Sequence, residues 1–146
     1  MGGRLRGLRA LSWIERRELA LMAVTLPLID VALRLFGYSR TRRWLERRSL
    51  RTDSRTATAG DLDAAQTAAR LAAVAGRHGV VTTTCLRQSL LLYWLLRRRG
   101  LRPDLRIGVH KEAGEFGAHA WVELDGHRLE QTPNPHLPFA LPDRTA

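Results

Sequence analysis

The chain reads as an α+β domain: a central helix packed on a small antiparallel sheet, preceded by N-terminal amphipathic helices. Three stretches predict it. "TTTCLRQSLLLYWLLRRRG", residues 82–100, is apolar nearly all round its helical wheel from Leu90 to Leu96, the pattern of a buried helix. Residues 105–132 alternate apolar and polar side chains about an Asp125/Gly126 turn, the pattern of a hairpin. Ahead of both, residues up to about 50 carry Leu, Val, Ile and Trp among many Arg at helical spacing.

The first segment invites a membrane reading, because residues 19–36 are mostly apolar. Pro27, Asp30 and Arg34 interrupt that run well short of the ~20 apolar residues a span needs, and no small-residue cleavage site follows. One or two amphipathic helices with a break at Pro27 are expected instead. Charge is concentrated here: thirteen Arg against five acids up to Arg55 account for +8 of the formal +10. Such a segment suits an acidic peptide, an anionic surface or nucleic acid, or is simply a set of solvated faces, since 23 of 24 basic residues are Arg. No nucleic-acid partner is expected, because no helix-turn-helix, zinc-finger or aromatic RNA-binding signature accompanies the charge.

"RTDSRTATAGD", residues 51–61, is small, polar and turn-rich, and reads as a linker. It divides the chain into a basic helical segment, 1–55, and a second domain, 56–146. Asp61 is placed to cap a helix with an apolar stripe at Leu62, Ala65, Ala69, Ala72 and Ala73, ending before Gly76 or Gly79.

In the central helix, Thr83 or Thr84 serves as N-cap and Cys85 falls in the first turn. Arg97 to Arg99 complement the C-terminal dipole, and Gly100 ends the helix. Cys85 is the only cysteine, which excludes an internal disulfide and suits a reduced, cytoplasmic setting; no Cys/His cluster has metal spacing. Unpaired N–H groups and the positive dipole end at a helix start favour thiolate over thiol. A lone cysteine by itself is more often an inert core residue.

Of five histidines, His78, His110, His127 and His136 fall in loops, turns or strand ends and read as surface residues. His119 differs, because Gly117, Ala118 and Ala120 around it leave room for another element to approach. A two-residue turn at Asp125/Gly126 sets Leu124 opposite His127, Glu123 opposite Arg128, Val122 opposite Leu129, Trp121 opposite Glu130 and His119 opposite Thr132. Glu130 then lies diagonally across from His119 on the same face, within a long side chain's reach, and is the candidate to orient its ring. Asp125 is too far away in the turn, and Glu123 lies farther along the same strand. A bulge would flip the third strand and promote Gln131 instead.

Cysteine opening a central helix, then a strand, then "HAWVELDG" with an acid in the next strand resembles the transglutaminase-like and papain-like cysteine protease fold, whose chain order is Cys, His, Asp. More narrowly, "CLRQSLLLYWLLRRRG", "LRIGVHKEAGEFGAHAWVELDG" and the basic apolar helices before them resemble the lasso peptide maturation protease, a transglutaminase-like leader peptidase. The resemblance implies a cytoplasmic cysteine peptidase, needing no cofactor and no metal, that separates leader from core in a ribosomally made precursor. Cys85 is then nucleophile, His119 base, and Glu130 or Gln131 stands where the family has Asp. The implied partners are the precursor peptide, a separate leader-recognition protein and an ATP-dependent macrolactam synthetase, with the N-terminal helices docking one of the two proteins or acting as a lid. Acyl transfer to an amine on the same residues, or a non-catalytic basic adaptor, are the other readings.

Overall fold

A computed structural model describes residues 12–49, 55–78, 84–112 and 115–129. Three helices, α1 (Trp13–Arg48), α2 (Ala59–His78) and α3 (Cys85–Arg98), precede three strands, β1 (Pro103–Glu112), β2 (Glu115–Leu124) and β3 (His127–Leu129). The strands form one antiparallel sheet in the order β1-β2-β3.

Helix α1 opens with a capping box, in which the Ser12 hydroxyl accepts from the Glu15 amide while Glu15 accepts from the Ser12 amide. The expected break at Pro27 is absent: helix continues through it. The amide that Pro27 lacks would have bonded the carbonyl of Ala23, an exposed residue whose carbonyl water can reach. Leu26 and Ile29, on either side, are fully packed into the core, and that burial outweighs the local penalty. The break comes instead at Gly37, whose φ of 73° and ψ of 176° interrupt the helix in a conformation that side chains with a Cβ rarely adopt. The Thr41 hydroxyl donates to the Gly37 carbonyl at 2.8 Å, holding the start of the second half.

Helix α2 starts two residues before Asp61. Thr58 precedes it and Asp61 sits three residues on, each side chain accepting from the other's amide. Asp61 is therefore the reciprocating acid of a capping box rather than the N-cap expected for it. The alanine stripe is buried as expected, with Ala65, Ala69 and Ala72 fully covered, and the helix runs past Gly76 to His78. Short side chains along that stripe allow α3 to pack close.

Helix α3 is the post of the molecule. Ser89 to Tyr93, then Leu95 and Leu96, are buried without a gap for solvent on any side, because α1, α2, β1 and β2 all pack against it. Its C-terminus closes with Gly100 at φ 79°, the Gly100 amide donating to Arg97 and the Leu101 amide to Leu96. That 5→2 and 6→1 pair is a Schellman motif, with Leu96 and Leu101 both buried beside it.

The hydrophobic cluster crosses residue 55 without interruption. Met22, Leu26, Ile29 and Leu45 of α1 share one core with the α2 alanines, the α3 leucines, Val122, Leu124 and Leu129. The change in sequence character at the linker is thus a change in surface charge within a continuous core. The described part of the linker is held: the Arg55 amide donates to Gly100 at the end of α3, and the Ala57 amide to Asp125 in the hairpin turn.

The β2–β3 pairs Val122↔Leu129, Glu123↔Arg128 and Leu124↔His127 are those a two-residue turn dictates. Asp125 (φ 48°) and Gly126 (φ 79°) both have positive φ, as a type I′ turn requires. Ala120, Val122 and Leu124 face the helices and are buried; His119, Trp121 and Glu123 alternate to the other face.

Candidate active site

Thr84 is the N-cap of α3, with extended backbone at φ −88° and ψ 161°, and Cys85 is the first helical residue. The Thr84 hydroxyl makes no capping bond, and its carbonyl accepts from the Arg87 and Gln88 amides at 3.1 and 3.2 Å. Two backbone amides ahead of them, on Cys85 and Leu86, lie beyond the reach of the helix's own carbonyls and point outward from its start. This is the arrangement that stabilises a developing oxyanion.

The half-buried Cys85 thiol touches β2: Sγ lies 3.9 Å from the carbonyl oxygen of Ala118. That oxygen belongs to the peptide joining Ala118 to His119, and the His119 side chain alternates to the face of the sheet away from the helices. Cys85 is thus set beside the backbone of β2 at His119, while the imidazole is carried on the other face of the strand with Trp121. Ala118 and His119 are both exposed there.

The His119 ring is stacked on Trp121, centroids 6.0 Å apart and planes 18° from parallel. Trp121 is in turn fixed on three sides. Its indole N–H donates to Glu123 at 2.8 Å, the Arg128 guanidinium lies 4.8 Å over its ring, and Gly108 sits beneath it, where a Cβ would come within 2.9 Å of the indole. Glu123 also accepts from Arg106 at 3.2 Å, so its carboxylate is committed away from His119. Asp125 is committed to the Ala57 amide. Both acids set aside on register are thus employed elsewhere. Glu130, Gln131 and Thr132 lie outside the described residues, and the third position is carried by the register alone.

One residue at this end of α3 went unnoticed as a contributor. Asp30, buried in the middle of α1, reaches Arg87 in the first turn of α3, Oδ1 to Nη2 at 2.6 Å, as an ion pair without the alignment of a hydrogen bond. Its other oxygen accepts from Arg34 at 3.0 Å. A cation in a first helical turn opposes the positive dipole end, and Asp30 offsets it. The available signal was an acid inside an apolar run with an Arg four residues on.

His127 is exposed in the hairpin, its Nδ1 3.1 Å from the Asp125 carbonyl, as expected of a surface histidine. Among the described residues no group of three or more His, Cys, Asp or Glu is placed to hold a metal ion.

A family model described as the transglutaminase-like superfamily matches residues 25–141. The chain belongs to the transglutaminase-like superfamily. Its members are generally cysteine-dependent enzymes of cysteine peptidase or acyltransferase type, and the thiol at the head of α3 against the His119 strand is in keeping with that. The match begins inside α1 and crosses the linker, as the hydrophobic core does. No curated protein and no solved structure matches the chain.

Proposed function

We propose that this transglutaminase-like protein is a cytoplasmic cysteine peptidase that removes the leader from a ribosomally made lasso peptide precursor, freeing the core amine for macrolactam formation. The observation that carries the reading is the meeting of the Cys85 thiol with β2 at the peptide joining Ala118 to His119. Supporting it is the exposure of both residues of that peptide.

In this reading His119 takes the Cys85 proton as the thiolate attacks the scissile carbonyl carbon. Amides at the start of α3 donate to the tetrahedral oxyanion. The carbon–nitrogen bond then breaks as His119 returns the proton to the leaving amine, and water, deprotonated by the same imidazole, releases the leader carboxylate from the thioester. Stacking on Trp121 limits the tilt of the imidazole. Glu130 is proposed to hold its second nitrogen, with Gln131 taking that role if a bulge shifts β3. No cofactor enters these steps. The proposed partners are the precursor, a separate leader-recognition protein and an ATP-dependent macrolactam synthetase, which would consume the freed amine.

Incubation with precursor peptides, with and without the recognition protein, followed by mass spectrometry, tests this. Leader release is expected in wild type and a loss of at least about a thousandfold in Cys85→Ala. A mass gain equal to an added amine would assign acyl transfer instead, and equal cleavage by Cys85→Ala would remove the enzyme reading altogether.

A further inference from the structure

Helix α1 is apolar on two opposite faces, and only one is used. Met22, Leu26 and Ile29 are buried in the core. Opposite them, Leu21, Val24, Leu28, Val31 and Leu35 recur at alternating spacings of three and four, which aligns them in one narrow stripe. That stripe is open to solvent: Val24 is 65%, Leu28 56%, Val31 50% and Leu35 69% exposed. Beyond Gly37 the burial pattern repeats, with Thr41 and Leu45 inward, and the opposite positions Arg40, Arg43 and Arg47 are exposed arginines at the same three–four spacing. Each half of α1 therefore has its own outward side, a leucine–valine stripe before the Gly37 kink and a ladder of arginines after it. Trp13 lies exposed at one end of the stripe and Phe36 at the other.

We propose that this face is a membrane-contacting surface, on which α1 lies in the plane of an anionic bilayer with the stripe at the acyl boundary and the arginines on the phosphate headgroups. Charge complementarity selects this occupant. The acids of α1 are all otherwise engaged: Glu15 in the capping box, Glu18 with Arg99, Asp30 with Arg87 and Glu46 with Arg42. The outward face thus presents cations only, which an anionic surface attracts and which a second copy, laid against it in either direction, would repel. Ring-bearing residues at the stripe's ends suit the headgroup level.

By length and composition α1 passes for a membrane span, yet the apolar stretch that qualifies it is 28% buried against the protein. Crossing the bilayer would extract Met22, Leu26 and Ile29 from the core and part Asp30 from Arg87. Lying on the bilayer requires neither.

The full chain is to be mixed with vesicles of phosphatidylcholine alone, or with about one third phosphatidylglycerol, and separated by flotation. Expected is flotation with anionic vesicles that weakens as salt rises. Replacing Arg40, Arg43 and Arg47 by Gln is expected to lower partitioning on the order of a hundredfold. Leu28→Glu with Val31→Glu is expected to abolish it, with helical circular dichroism retained. Should that pair unfold the protein, the arginine variant decides by itself. No flotation of wild type, or flotation unchanged in the arginine variant, overturns the proposal. So does a wild-type dimer in sedimentation equilibrium that the glutamate pair dissolves without any vesicle binding, which would assign the face to a second copy. Vesicle binding does not involve Cys85, so failure here leaves the peptidase reading untouched.

Discussion

At its C-terminal end α3 is tied down from several directions. The Schellman bonds close the helix, the Arg55 amide donates to Gly100, Arg97 donates to the Ser49 hydroxyl at 3.2 Å and stacks on Tyr93, and Arg99 pairs with Glu18. At its N-terminal end the N-cap hydroxyl is uncommitted to capping, and the thiol meets its neighbour through a long sulfur–oxygen contact. One helix thus has a structural end and a chemical end. A nucleophile needs to be held still without being covered. Burial of the shaft over residues 89–93, 95 and 96, with fixation at the far end, supplies the stillness, and in the proposed reading the amides at the near end serve the chemistry.

The Asp30–Arg87 pair ties the near end of α3 to α1 through a buried charge. Asp30→Ala leaves Arg87 at the positive end of a helix dipole without its counter-ion, and is expected to cost about 3 kcal/mol in urea denaturation. A loss under about 1 kcal/mol would mean that water already serves Arg87, and that the chemical end is loose throughout. At the structural end, Gly100→Ala forces a Cβ onto a backbone at φ 79° and is expected to cost about 1–2 kcal/mol. The rate of thiol alkylation at Cys85, measured on the folded variant, is expected to stay as in wild type. A changed rate would show that the two ends are coupled along α3.

What sequence reveals about these ends depends on whether the signal is local. Asp125-Gly126, Gly100 and the threonines before Cys85 are read correctly because each is a backbone requirement met by residues within one turn. The register pairs for β3 follow from the turn in the same way. Pro27 misleads, since its local penalty is overridden by core contacts that no local window contains. Gly37, the real interruption, stands between two helix-forming stretches with nothing in its neighbours to single it out. Asp61 is misplaced by three residues because Thr58 and Asp61 are both good caps, and Thr58 takes the N-cap while Asp61 reciprocates. In the site, the position of Cys85 at a helix start is legible from the threonines before it. The Asp30 contribution is a contact between distant elements and has no local trace beyond Arg34.

The smallest expected effect lies outside α3, at the capping box that begins α2, and it sharpens what holding down the structural end means. Asp61 accepts two hydrogen bonds from Arg55, at 2.5 and 2.8 Å, and one from the Thr58 amide at 2.8 Å. The Arg55 guanidinium first, then Thr58, holds its carboxyl well below the ordinary aspartate range. A carboxyl depressed on folding contributes stability above the unfolded pKa, about 4, and loses it as pH falls through the lower folded value. Asp61 is half-buried but its partner Arg55 is exposed, so the contribution is screened and falls below that of the glycine or the buried pair. The urea midpoint of wild type is therefore expected to exceed that of Asp61→Asn modestly at pH 7, with the gap shrinking steadily below about pH 4. A gap independent of pH would show that Asp61 acts as a neutral cap, which an asparagine largely replaces. The segment tied to Gly100 would then rest on the Arg55 backbone bond rather than on its charge.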